Sequence, residues 1–307
     1  MGPALLAWLL WRCDWTMVLR VLRQLDFRYL ALYFLANAVC FLLKVARFRS
    51  FVIATRATIT RRDAFAVAAR ASFWGAVTPG RLGEVLKIDA LGARGVPMAT
   101  GATILVMERA IDLGALLVVS AAFAATTSWQ RSFQIAIASS GAIGLLVLGL
   151  LCAPVALSRS TRFFATLFPP SLHHQLAKMQ AASELLSGRS ATRGTLVGLI
   201  ATFGAGAQVF ILARALHVAI SVGDTMSTYG AATLAGLIPI SVAGLGTREA
   251  VYAASFETAG FATGLAVTLS LLDGFVFAVS IAAIYWAIAA GFARAPKPAD
   301  RDAAPPT

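Results

Sequence analysis

Charge is scarce in this sequence: Asp, Glu, Lys and Arg make up 13% of its residues, against about a quarter in an ordinary soluble domain. That shortage excludes a conventional water-soluble fold, since hydrophobic residues supply 59% of the chain and mean hydropathy is +0.78. Cysteine is nearly missing too. Cys13, Cys40 and Cys152 are widely spaced, mostly between apolar neighbours, which suggests neither a disulfide framework nor a zinc site and predicts buried, unpaired thiols. The chain has no G-x-x-x-x-G-K-[ST], no H-E-x-x-H and no G-x-S-x-G. An ATP-driven pump or a zinc hydrolase is therefore not expected, and no catalytic residue, metal or cofactor is assigned. Strands of alternating polarity are missing as well, which favours a helical bundle over a barrel. Acids are the rarer sign, 14 against 26 basic residues, for a formal charge of +12. In a soluble protein that excess would raise nucleic acid as a partner. Beside apolar spans it marks cytoplasmic loops and attracts anionic lipid headgroups instead.

What the chain does have is long apolar runs. A hydrocarbon core of roughly 30 Å takes about 20 helical residues, and the runs at 29–46, 99–125, 133–157, 196–216 and 261–292 are read as spans. The stretch from Lys44 to Arg62 carries Lys44, Arg47, Arg49, Arg56, Arg61 and Arg62 with no acid, and 159–193 and the tail repeat the basic excess. All three are placed on the cytoplasmic side. Parity then leaves 63–98 and 217–260 without a net crossing, as two hairpins entering from opposite sides. The apolar run of the first, 64–77, has the length of a re-entrant segment, whereas the second is long enough to be either re-entrant or a span with a shorter return. The predicted fold class is all-α: a polytopic transmembrane helical bundle with two oppositely oriented hairpins, an inverted repeat. Residues 1–293 form a single transmembrane domain and 294–307 a disordered cytoplasmic tail.

Two amphipathic segments flank this plan. "ALLAWLLW" before Arg12 is too short to cross a membrane, which predicts a natural chain that begins upstream of Met1. Trp11, Trp15, Val18, Leu22 and Leu25 then recur at helical spacing and predict an interfacial helix. In "PPSLHHQLAKMQAASELLSGRS", His173 and His174 read as the first polar turn of a cytoplasmic surface helix rather than as metal ligands.

The hairpin tips carry the candidate chemistry. "TPGRLGE" (78–84) and "AGLGTRE" (243–249) each hold two glycines followed by a glutamate, with an arginine among them and Pro79 or Pro239 nearby. Broken helices of this kind meet near the midplane of inverted-repeat transporters to hold a substrate. Gly80, Gly83, Gly244 and Gly246 let the backbone turn and approach closely, leaving amides free at half-helix N-termini for an anionic group. Arg81 and Arg248 supply charge for a phosphate, with Glu84 and Glu249 beside them. Glu108, Arg109 and Asp112 lie about 14 to 20 Å into the span that starts near Ala99, at ~1.5 Å per residue. A lone charge at that depth costs several kcal/mol, so partners or a wet cavity are required. Arg81, Lys87 and Arg248 are the natural partners, and Asp273 in the last span completes the candidate substrate-binding set. Gly194 and Gly198, at GxxxG spacing on an ordinary span, are read as helix-packing glycines.

The runs "PGRLGEVLKIDAL", "ERAIDLGAL" and "GLIPISVAGLGTREAVYAASF", together with "LDFRYLALYFLANAVCFLLKVARFRSFV", resemble the lysylphosphatidylglycerol synthase transmembrane-region family of flippase-like membrane proteins. The resemblance covers nearly the whole chain and implies a lipid translocator of the bacterial inner membrane with a cytoplasmic C-terminus. Bifunctional members of that family append a cytosolic aminoacyl-transferase domain. This chain ends in the Pro/Ala-rich "APKPADRDAAPPT", so synthase activity is not expected. Asp273 stands where relatives are expected to carry a basic residue, so the resemblance does not fix the headgroup. The expected function is translocation of phospholipid or lipid-linked anionic headgroups, with membrane lipids bearing anionic or phosphate heads as partners. The alternatives are an intramembrane enzyme or enzyme partner acting on polyprenyl-phosphate-linked sugars, with Glu108 and Asp112 as acid and base, or a structural subunit.

Overall fold

A computed structural model describes residues 7, 8, 11, 15–153, 173–237 and 244–294. Among them the ordered backbone is helical with no strand, the outcome that lipid imposes by leaving no water to satisfy open backbone groups. Helix α1 (Trp15–Arg23) leads into α2 (Phe27–Ala54), which is capped by Asp26 accepting from the Arg28 amide. The first hairpin is α3 (Arg61–Val77), a 3-10 turn (Leu82–Val85) and α4 (Leu86–Gly92). Next come α5 (Met98–Phe123), α6 (Arg131–Cys152), α7 (His173–Leu186) and α8 (Arg189–Ala215). The second hairpin is α9 (Val222–Gly236) and α10 (Thr247–Thr258). The last helix runs as α11 (Thr263–Leu271), a π-helical stretch (Leu272–Phe277) and α12 (Ala278–Arg294).

Among the described residues four helices are long and apolar enough to cross a membrane: Phe27–Ala54, Arg131–Cys152, Arg189–Ala215 and the continuous Thr263–Gly291. The fifth expected span, α5, has 26 residues, about 39 Å of helix, with Glu108, Arg109 and Asp112 in its middle. In the first hairpin the arms are 17 and 7 residues; in the second they are 15 and 12. None of these helices reaches the ~20 residues that a crossing takes, and residues 238–243, between the arms of the second hairpin, lie outside the described residues.

One boundary differs from the sequence reading. Lys44, Arg47 and Arg49, expected in a cytoplasmic loop, lie on α2, which continues to Ala54. The reason is pairing: Arg47 is only 3% exposed and meets two carboxylates of α5, so its charge does not have to leave the membrane helix. The thiols differ as well, since Cys40 and Cys152 are free as expected but only half-buried. Cys13, Pro239, the tail beyond 294 and the basic stretch up to 172 lie outside the described residues, as do the side chains of His173 and His174.

Two buried clusters organise the bundle. One gathers Phe48, Phe51 and Val52 of α2 with Leu91, Ile104, Met107 and Ile111 around the first hairpin. The other gathers Val209 and Leu212 of α8, and Leu216 just beyond it, with Tyr252, Phe256, Leu265 and Leu269 around the second. Glycines let the helices close up at the first: a Cβ at Gly194 would fall 2.4 Å from Phe51, and one at Gly198 would fall 2.5 Å from Ile111. On α1, Val18 is buried and Leu22 packs on the second cluster while Trp15 stays half exposed, the disposition of an interfacial helix. The start of α9 is tied down by Asp224. Its carboxylate accepts from Thr127 Oγ1 (2.9 Å), Ser128 N (2.6 Å), Ser128 Oγ (2.8 Å) and Ser221 Oγ (2.7 Å).

Candidate functional site

Between the two clusters lies a cavity of about 240 Å³. Helix α2 lines it with Tyr33, Asn37, Cys40, Phe41 and Lys44, a stripe at helical spacing that runs about 16 Å along the axis. Both hairpin tips reach it: Thr78, Gly80, Arg81 and Glu84 from the first, Gly236, Leu237 and Arg248 from the second. The π-helical stretch adds Asp273 and Gly274. Helices α8 and α12 contribute Gln208 and Tyr285, which meet α2 in a neutral polar wall. Asn37 Nδ2 donates to Gln208 Oε1 at 2.9 Å, and Tyr285 OH donates to Asn37 Oδ1 at 3.1 Å.

The first tip is set by Thr78, whose hydroxyl donates to the Trp74 carbonyl at 2.7 Å and accepts from the Gly83 amide at 2.8 Å. Gly80 (φ 58°) and Arg81 (φ 59°) then turn through the left-handed region, which costs a residue with a Cβ about 1 to 2 kcal/mol. At Gly83 no side chain fits, because a Cβ would lie 2.3 Å from the Trp74 carbonyl carbon. Beyond the turn, charges alternate in a chain. Arg109 pairs with Glu84, and Glu84 lies 3.8 Å from Lys87. Lys87 reaches Glu108 at 2.8 Å, Glu108 lies 3.7 Å from Arg47, and Arg47 meets Asp112 at 2.7 Å. Lys87 also sits over the Phe48 ring. Three bases and three acids thus lock α4, α5 and α2 together with no net charge.

The second tip is built differently. Gly246 N donates to Glu249 Oε2 at 2.5 Å and Ser270 Oγ donates to Oε1 at 2.8 Å, so Glu249, 1% exposed, closes the start of α10. Arg248 threads a slot formed by Gly236, Gly244 and Gly274, where a Cβ would fall 2.7 to 3.2 Å from its side chain. At the end of the slot its guanidinium meets Asp273 at 3.1 Å, and Asp273 also accepts from Tyr33 OH at 3.0 Å.

Of the residues singled out in the sequence, Gly80, Arg81, Glu84, Arg248 and Asp273 line the cavity. Lys87, Glu108, Arg109 and Asp112 form the ion chain behind it, and Gly83, Gly244, Gly246 and Glu249 shape the backbone. The Gly83 and Gly246 amides, expected to be free, are taken by Thr78 and Glu249. Of the partners expected for the α5 carboxylates only Lys87 reaches one, Glu108; Asp112 takes Arg47, and Arg248 takes Asp273 instead. Among the described residues no carboxylate lies within ion-pairing distance of Lys44 or Arg81. Sequence reasoning passed over Tyr33, Asn37, Gln208 and Tyr285. The signal available was an isolated amide in the middle of an apolar helix, Asn37 in α2 and Gln208 in α8.

The chain belongs to the family described as the lysylphosphatidylglycerol synthase TM region, whose model matches residues 2–286. It is an integral membrane protein with a lipid-related function. No curated protein and no solved structure matches it.

Proposed function

We propose that this chain translocates phospholipid or lipid-linked anionic headgroups, with the cavity between the hairpin tips as the headgroup site. The observation that carries the reading is charge: among the described residues Lys44 and Arg81 line the cavity without carboxylate partners, while Glu84 and Asp273 are each engaged by a neighbouring cation. A concavity with uncompensated positive charge and low-dielectric walls favours an anion. The cavity, about 240 Å³, has room for a headgroup, while the chains stay in the bilayer beside it. Two hairpin tips meeting at one site fit alternating access, as in inverted-repeat transporters. In this reading the protein sits in the bacterial inner membrane with its C-terminus in the cytoplasm. Glu108 and Asp112 lie outside the cavity lining and are bound to Arg47 and Lys87, which favours translocation over acid–base chemistry.

The test is movement of a phospholipid with a labelled head across vesicles containing only the purified protein. Arg81→Gln is expected to lower the rate at least tenfold while folded yield and thermal midpoint stay near those of the parent, since Arg81 holds no carboxylate. An unchanged rate would sink the assignment of the cavity.

A further inference from the structure

The cavity wall opposite the cations says what kind of head the phosphate carries. Counting every charged residue in the lining gives Lys44, Arg81 and Arg248 against Glu84 and Asp273. Both carboxylates already face cations: Asp273 is held by Arg248 and Tyr33, and Glu84 Oε2 by Arg109 with Lys87 close by. An ammonium group entering here would meet the unpaired Lys44 and Arg81, and carboxylates that other cations already neutralise. It donates only, and without a carboxylate its burial is costly.

The rest of the wall is neutral and two-sided. Asn37, Gln208 and Tyr285 satisfy one another in part, yet Asn37 keeps an N–H and the Tyr285 oxygen keeps lone pairs. Such a surface matches alcohol hydroxyls, which donate and accept from one atom. Asn37 lies seven residues from Lys44 on the same stripe of α2, about 10 Å along the helix. That is the separation between one end of a phosphoglycerol head and the other with its hydrogen-bond partners added.

We infer that the site selects a phosphodiester with a neutral, hydroxyl-bearing head and rejects heads that carry an amine. This rests on the headgroup reading of the cavity and adds its specificity. Phosphate is held at Lys44 and Arg81, and the polyol is read by Asn37, Gln208 and Tyr285. Lysylphosphatidylglycerol, the lipid in the family's name, adds a lysyl ester with two ammonium groups and would be a poor ligand for this chain.

The experiment uses the purified full chain in detergent micelles, with thermal midpoint and competition binding as readouts. The probes are phosphatidylglycerol, phosphatidic acid, phosphatidylethanolamine, lysylphosphatidylglycerol and soluble glycerol 3-phosphate. Phosphatidylglycerol is expected to stabilise the protein and to bind at least tenfold more tightly than either amine-bearing lipid. Equal binding of lysylphosphatidylglycerol or phosphatidylethanolamine overturns the inference and leaves the headgroup reading intact. Failure of every phospholipid to bind removes the headgroup reading itself. Glycerol 3-phosphate binding as tightly as phosphatidylglycerol would show that the ligand is not lipid-borne. Tyr285→Phe, which removes one hydroxyl and little volume, is expected to reduce the preference for phosphatidylglycerol over phosphatidic acid severalfold. Asn37→Leu should abolish that preference. An unchanged preference in both variants overturns the placement of the head.

Discussion

Arg81 and Arg248 stand in stretches that look alike, each among two glycines and a glutamate, and the fold gives them opposite roles. Arg81 is exposed, left-handed and without a carboxylate at the mouth of the cavity. Arg248 is enclosed by three glycines and bound to Asp273. Their glutamates diverge as well: Glu84 is the first link of an ion chain into α5, whereas Glu249 is a buried cap for its own helix. The difference follows from the arms. The return arm of the first hairpin is 7 residues and leaves its tip open, held by charge pairs. The return arm of the second is 12 residues and packs Tyr252 and Phe256 into a core, so its tip is held by shape. Likeness of motif therefore transfers backbone conformation better than it transfers electrostatic role.

The sharpest way to break this comparison is to remove both arginines in turn. Arg248→Gln strands Asp273 in a buried slot, and losing one partner of such a pair costs about 3 to 5 kcal/mol. A thermal midpoint in detergent well below that of Arg81→Gln is expected; equal midpoints would erase the distinction. Arg47→Gln should cost about as much, because it leaves Asp112 and part of Glu108 uncompensated. The loss should be partly recovered by adding Asp112→Asn, and a double variant no better than the single would show that the chain is not a pairing network. Glu249→Ala removes a cap and is expected to cost about 0.5 to 2 kcal/mol, read as faster hydrogen exchange at the start of α10 with the rest of the bundle unaffected.

The smallest effect lies at the base of the first hairpin, outside the spanning helices, where Asp63 pairs with Arg94 at 3.0 Å. The Thr60 hydroxyl and then the Arg94 guanidinium hold the Asp63 carboxyl below its usual range. A depressed folded value means that its contribution is complete above about pH 4, where the unfolded carboxyl titrates, and is lost as pH falls further through the folded value. The pair is 34% and 42% exposed, so screening keeps it under about 1 kcal/mol. Asp63→Asn should flatten the acid limb of the thermal midpoint slightly; a variant with the parent's pH profile would exclude the clasp.

The fold was largely legible because a membrane rewards long apolar helices, and 133–157 or 196–216 needed only length and hydropathy to be found. Boundaries failed where charge was taken as a sign of water. Arg47 looked like part of a cytoplasmic loop because its partners, Glu108 and Asp112, are more than sixty residues away in the chain. The site was half legible: the glycine-rich tips were visible, but Asn37, Gln208 and Tyr285 are ordinary singly and become a wall only when three helices meet.

The sequence by itself determined that the chain lives in a membrane as helices, that two segments break within it, and that the breaks carry arginine and glutamate. These follow from composition and local conformational preference, which each stretch of chain expresses alone. Tertiary structure decided which of the charges cancel. Whether Arg81 or Arg248 is left to meet an anion depends on which carboxylates packing brings within a few ångströms, and Coulomb attraction in a dry interior is settled by that distance and not by order along the chain.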